Sequence, residues 1–330
     1  MRNRTLALMG LAAAAGSMAY ANHRVAAAYR PIHGELDGRP DIHTWRDGIV
    51  YYHVKGEGQP IVLLHDFGIA AGSYQMQPTY DRLAQDYRVY APDWLGFGQS
   101  TRPAADYTAG AYEQWLADFL AEAVREPAAL VAAGVAAPLA ARVAARQPQL
   151  VSNLVLVCPT GVERGTGVPT DWRRGLRALL KAPLLGTFVW NLLASRPSLA
   201  HELRSRLFFD PALMTPELVG YAWITTHQPG ARFALASLWS GLLNLSLARD
   251  LPALAQPVMI VWGQQARKVP VEDIQAFKRL RPDARYRAFD RCGQWPQYEA
   301  ANGFSALLRN WLQGKDTGAA AIFPGEVEPE

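Results

Sequence analysis

The amino-acid sequence predicts an α/β fold: a mostly parallel, doubly wound sheet carrying one helical insertion. Three observations lead there. Short apolar runs of strand length alternate with helical periodicities from Ile42 to Val157, and again from Pro257 to Leu312. Between Val162 and about Leu251 that rhythm stops. A helical stretch broken by Pro183, Pro197, Pro211, Pro216 and Pro229 takes its place. At Leu130–Pro148, finally, an apolar β-like run turns sharply and enters an Ala-rich helix.

The elements follow in order. Residues 1–30 stand outside the fold as a leader and linker. Arg2 and Arg4 precede an uncharged, Ala-rich run, Thr5–Ala21, which ends in the A-x-A form Ala19-Tyr20-Ala21. This reads either as a cleaved signal peptide or as an uncleaved membrane anchor, near the lower length limit for a span; a buried start to the domain is a third reading. Arg24 and Arg30 follow, so charge leaves orientation open. The first two readings place the protein outside the cytoplasm, periplasmic or membrane-anchored.

The first part of the core is expected over 31–161. Tyr29–Pro40 is a Pro/Gly-punctuated linker. Ile42–Arg46 and Ile49–Val54 read as strands joined at the hairpin dipeptide Asp47-Gly48. Ile61–Leu64 is continuously apolar, as in a strand buried on both faces. Tyr80–Gln85 reads as a helix, Tyr87–Ala91 as a strand, and Ala111–Arg125 as a helix with apolar residues three and four apart. Ala128–Val131 and Leu154–Val157 are further buried strands. A helical cap over 162–251 carries Trp172, Trp190, Trp223 and Trp239. The core resumes over 252–312 with strand, helix, strand and helix at Pro257–Trp262, Val271–Leu280, Arg285–Phe289 and Glu299–Leu312. Residues 313–330 read as a disordered acidic tail.

Composition narrows the function classes. The 330 residues are 50% hydrophobic and 19% charged, with a net charge of +4 and no long basic run, which argues against nucleic-acid binding. Two cysteines, Cys158 and Cys292, exclude a disulfide scaffold or a Cys-based zinc site. No metal or cofactor is implied.

Five motifs in order resemble the α/β-hydrolase superfamily over about 42–312, and within it the capped group of haloalkane dehalogenases and related esterases. His65-Asp66-Phe67-Gly68 stands where the family has an HG-type oxyanion loop, and Pro92–Ser100 matches its PD-x-x-GFG-x-S loop. Leu130–Ala140 stands at the nucleophile elbow, Val258–Pro270 where strand, WG and R-x-VP are read, and Asp290–Glu299 where G-x-GHWP-x-x-E is read. The resemblance implies a Ser or Asp nucleophile, a His and an acid. The corresponding positions hold Gly134, Gln294 and Ala266. Between Pro127 and Leu150 there is no Ser, Thr, Cys, Asp or Glu, and no histidine follows His227.

Gly134 suits the positive φ of an elbow, with small Ala132 and Ala136 beside it; alone, it would also suit a strand-to-helix turn of another doubly wound fold. Asp66 would oppose a developing oxyanion, or points away and caps the following turn. His65 is either a structural residue of the loop or a surviving base. The candidate pocket and oxyanion-loop residues are His65, Asp66, Phe67, Val135 and Trp295. Glu163 reads as a solvated residue or a partner of Arg164; His201 and His227 are cap histidines with a structural or a reaching role. The leading expectation is a protein without the triad that does no catalysis and binds a small apolar ligand under the cap, or an interaction partner. The alternative is an active esterase- or lyase-like enzyme using other residues, such as His65 with Asp66 or Glu163. A scaffold whose pocket is filled by its own side chains is the third.

Overall fold

The computed structural model describes residues 2–32, 36–46 and 48–315. Residues 33–35 of the expected linker, Asp47 of the hairpin dipeptide and residues 316–330 of the expected tail lie outside the described residues.

The chain opens with α1 (Arg2–Ala27) and then builds β1 (Arg39–Trp45), β2 (Gly48–Lys55), β3 (Pro60–Leu64), α2 (Gln77–Leu83), β4 (Arg88–Pro92), α3 (Ala109–Phe119), β5 (Ala128–Ala133), α4 (Ala136–Arg146) and β6 (Val151–Val157). Five helices follow without a strand: α5 (Asp171–Lys181), α6 (Leu184–Leu193), α7 (Arg196–Glu202), α8 (Pro216–Thr226) and α9 (Ala231–Ser240). The core closes with β7 (Val258–Gly263), α10 (Ile274–Leu280), β8 (Arg285–Phe289), α11 (Pro296–Glu299) and α12 (Ala301–Leu312).

The eight strands form one sheet in the order β1-β2-β4-β3-β5-β6-β7-β8. β1, β2 and β4 pair antiparallel; every pair from β4/β3 to β7/β8 is parallel. The apolar runs follow from this: all of β3, β5 and β7 is buried, because helices cover both faces of the parallel part. The edge hairpin instead alternates, with Ile42, Ile49 and Tyr51 exposed and Val50 and Tyr52 buried. One face of the sheet packs on Trp94, Trp115, Phe119 and Leu139, the other on Leu83, Phe304 and Leu308.

The strand order reverses at β3. The chain leaves β3 toward β4 on one side, and β5 lies on the other. The loops leaving the carboxyl ends of β3 and β5 therefore diverge, and open the crevice where this architecture places ligands. The cap lies over that end. It has its own apolar cluster around Leu199, Leu203, Phe208 and Tyr221, joined by Trp295 from the core. It is also tied down at its middle. The half-buried side chain of Glu299 accepts hydrogen bonds from the Gly293 and Phe209 N–H groups (2.7 and 2.8 Å), and Gln294 N–H donates to Leu207 O (2.7 Å).

Candidate active site

β5 ends in the turn expected at its carboxyl end. Gly134 has φ +54°, a conformation in which an L side chain is strained. Its N–H donates to Val157 O (2.9 Å), and its carbonyl accepts from Ala137 and Thr160 N–H (3.3 and 3.2 Å). Ala132 and Ala136 beside it are fully buried, so neither flank leaves room for a larger side chain.

The space above Gly134 is taken. A Cβ built there would fall inside the carboxyl group of Asp66, which reaches over from the loop after β3. Asp66 Oδ1 accepts from Val135 N–H (2.8 Å) and Phe67 N–H (2.7 Å). These are the N–H of the residue after the elbow and one from the β3 loop, the two donors that build an oxyanion hole in this architecture. Asp66 Oδ2 accepts from Lys268 Nζ (3.1 Å), in the loop after β7, and Lys268 also donates to Phe67 O (3.4 Å). Gln75 Oε1 accepts from the Asp66 N–H (3.0 Å) and sets the loop from behind. Asp66 therefore does not point away. Its bond to Phe67 N–H is the expected local cap, and the same oxygen is shared with Val135, in the turn between β5 and α4.

Asp66, Phe67, Val135 and Trp295 line a cavity of about 340 Å³ under the cap, together with Lys268 and Arg206. Arg206 faces Glu202 at 3.6 Å. The indole N–H of Trp295 is buried and has no hydrogen-bond partner among the described residues. Of the cap tryptophans only Trp239 lines this cavity. Trp190 is buried against it and donates to Thr226 O (2.8 Å), Trp223 stacks on His227 at 4.4 Å, and Trp172 is exposed.

His65 is corrected. It is wholly buried and absent from the cavity wall. Trp94 N–H donates to its Nε2 (3.2 Å), so the proton sits on Nδ1, which donates to Asp66 O (2.8 Å). Both ring nitrogens are engaged, and burial pushes the imidazole pKa down, holding it neutral. It is the pivot of the loop that aims Asp66. His65→Ala is expected to destabilise the fold by about 2–4 kcal/mol, as an emptied core site with orphaned hydrogen-bond partners does. Urea unfolding measures this; an unchanged midpoint with lost turnover would restore the base reading.

The other expected residues are placed as follows. Ala266 is buried in the turn after β7, its N–H bonded to Gly263 O (3.0 Å). Gln294 is buried after β8; its Oε1 accepts from Val269 N–H (3.2 Å). Glu163 pairs with Arg279 (3.5 Å) rather than with Arg164, which pairs with Asp273 (2.9 Å). His227 lies at a separate cavity, its Nδ1 bonded to Trp223 O (2.8 Å), and His201 is exposed. Cys158 and Cys292 are free thiols in the core, and burial pushes the Cys158 pKa up to about 12. Lys268 was not among the expected site residues. Its place as the variable residue inside the R-x-VP stretch, Arg267-Lys268-Val269-Pro270, was readable, but nothing in the sequence joins it to Asp66. Among the described residues no group of three or more His, Cys, Asp or Glu could hold a metal ion.

Fold and crevice define a class, and comparison with known proteins agrees. A profile of the α/β-hydrolase fold matches residues 59–301, and the chain belongs to that family. It is 28% identical over 275 residues to 2-hydroxymuconate semialdehyde hydrolase of Pseudomonas putida, spanning 80% of this chain and 90% of that one. Among solved structures it is similar to a mutant meta-cleavage product hydrolase from Pseudomonas fluorescens IP01 with acetates bound (25% identity, TM-score 0.67, 85% of this chain and 98% of that one). It also shares its fold with a bacterial membrane phospholipase A (21% identity, TM-score 0.66, 96% of this chain and 100% of that one). The expectation of a binding protein without turnover is thereby corrected. Relatives matched over four-fifths of the chain are named hydrolases, and the structure gathers charged groups at the same crevice.

Proposed function

We propose that this chain is an enzyme of the α/β-hydrolase fold that hydrolyses a small carbonyl compound bearing a carboxylate, with Asp66 and Lys268 doing the chemistry at a crevice whose nucleophile, histidine and acid positions hold Gly134, Gln294 and Ala266. The observation that carries this is the ion pair at the cavity floor. One Asp66 oxygen is pinned by two backbone N–H groups, while the other meets Lys268 at the cavity wall.

The pinned oxygen fixes the direction of its twin. Asp66 Oδ2 takes a proton from a water molecule as the water oxygen attacks the substrate carbonyl carbon. The oxyanion hole is filled by Asp66 Oδ1, so it cannot receive the charge that forms on the carbonyl oxygen. Lys268 Nζ, adjacent and cationic, receives it. Asp66 then returns its proton to the leaving carbon or oxygen as the C–C or C–O bond breaks. The products are a carboxylic acid and a ketone or alcohol, and atoms balance as substrate plus water. Arg206 offers the substrate carboxylate a partner from the cap side, and the unpaired Trp295 N–H offers a donor to an oxygen. The compound named in the P. putida relative, a semialdehyde of muconate, combines a carbonyl with a carboxylate.

The test is a panel of oxo-dienoates and aryl esters followed spectrophotometrically. Turnover above buffer is expected, and Lys268→Met is expected to lower kcat by about 10²–10³, the cost of losing one donor to a developing oxyanion. Absence of turnover by the natural chain on every member would overturn the reading, and so would full activity in Lys268→Met.

A further inference from the structure

We propose that α1 inserts its exposed N-terminal half into one leaflet of a phospholipid bilayer and holds the cap against that surface. The two halves of α1 are built differently. Ala15, Met18, Asn22 and Val25 form a stripe three or four residues apart, and these positions, with Ala21, are the partly buried ones of the helix. The stripe is seated on α6 of the cap: Asn22 Nδ2 donates to Leu184 O (3.0 Å), and Asn191 Nδ2 donates to Asn22 Oδ1 (3.0 Å). Further along, Gln228 Nε2 donates to Arg30 O (3.0 Å). The seat straddles Ala19-Tyr20-Ala21, so removal of the segment at that point would strip Ala15 and Met18 from their contacts. This is the packing of a retained element.

The other half, from about Thr5 to Ala14, is exposed throughout. Leu6, Leu8, Met9 and Leu11 are 60–69% exposed. At about 100° per residue these four side chains point in all directions around the axis. That distribution selects the occupant. A protein groove receives an amphipathic helix along one stripe, whereas a helix apolar all round needs apolar surroundings on every side. Lipid supplies them.

Thr5 to Ala15 rises about 15 Å, and Arg2 and Arg4 precede it. Charges are costly at the bilayer centre, so the segment lies obliquely in the leaflet, with its leucines in the acyl region and the long arginine side chains reaching the headgroups. No single helix among the described residues is long and apolar enough to cross a membrane, so the proposal is insertion into one leaflet. The neighbouring cap surface matches. α6, which seats α1, exposes Leu185, Leu192 and Leu193, and α5 exposes Trp172 beside Arg173, an aromatic–basic pairing suited to headgroup depth.

The experiment is flotation of the full chain with vesicles of phosphatidylcholine, and of phosphatidylcholine with phosphatidylglycerol at 3:1. Intact mass is recorded on the same sample. The full-length chain is expected to float with both. Leu8→Glu/Leu11→Glu, at exposed positions that leave the fold intact, is expected to lower the bound fraction at least about 100-fold, since charges are costly in hydrocarbon. Four results would overturn the proposal: a chain that stays in the aqueous fraction with both vesicles, equal binding by the variant, a mature mass beginning at Asn22, or light scattering in which the substitutions dissociate an oligomer without affecting flotation.

Discussion

Asp66→Asn is expected to lower kcat by about 10²–10⁴, the range for removal of a positioned general base. The substitution keeps the shape of the side chain. The amide oxygen still accepts from Val135 and Phe67 N–H, where the carboxylate now accepts at 2.8 and 2.7 Å. The amide nitrogen must then face Lys268 Nζ, so a donor meets a donor where an ion pair of 3.1 Å stood. Base and charge balance are lost together. Stability is the control: because the two backbone bonds remain, unfolding in urea should shift far less than turnover does. Near-normal kcat for Asp66→Asn on a substrate turned over by the natural chain would remove Asp66 from the chemistry and leave it a structural filling of the oxyanion hole.

The second large effect is on stability. Gly134→Ser is expected to destabilise the fold by about 2–5 kcal/mol. Roughly 1–2 kcal/mol comes from a side chain at positive φ, and about 1–3 from overpacking against the Asp66 carboxyl group. Only the second part depends on Asp66. In Gly134→Ser/Asp66→Gly the collision is gone, and a double-mutant cycle should show a coupling of about 1–3 kcal/mol, the range for residues in contact. Additive losses would mean that the carboxylate swings aside freely, and then its place above the elbow would not be enforced by packing.

These two residues mark where sequence reasoning succeeds and where it stops. The sheet is legible because strands buried on both faces carry unbroken apolar runs, as in Ile61–Leu64, and because the antiparallel hairpin at its edge alternates. The elbow is legible because Gly134, flanked by small Ala132 and Ala136, suits a turn of positive φ and stands in order with four other motifs. Asp66 is named by its loop, but the sequence offers a purely local role for it, the bond to Phe67 N–H. The bond that changes its meaning comes from Val135, 69 residues away, and the ion pair comes from Lys268, 202 residues away. Such pairings arise where the strand order gathers loops from distant parts of the chain at one end of the sheet, so no spacing along the chain announces them. A search at Ala266 and Gln294 for an acid and a histidine passes over a cation two residues from Ala266. The expectation that no catalysis remains came from asking whether familiar groups were missing, and relatives named hydrolases across most of the chain overturn it.

The Glu299 tie has a mechanical consequence. Because it grips the cap at Phe209, between α7 and α8, the cap is pinned to the core at its middle. Its halves are also braced across: Arg232 Nε of α9 donates to Leu180 O of α5 (2.9 Å), and Trp190 Nε1 of α6 donates to Thr226 O of α8 (2.8 Å). A pull on α1 at Asn22 therefore passes through α6 into both halves of the roof and down to the Glu299 pin, so the cap carries load as a frame and not as a chain of separate helices.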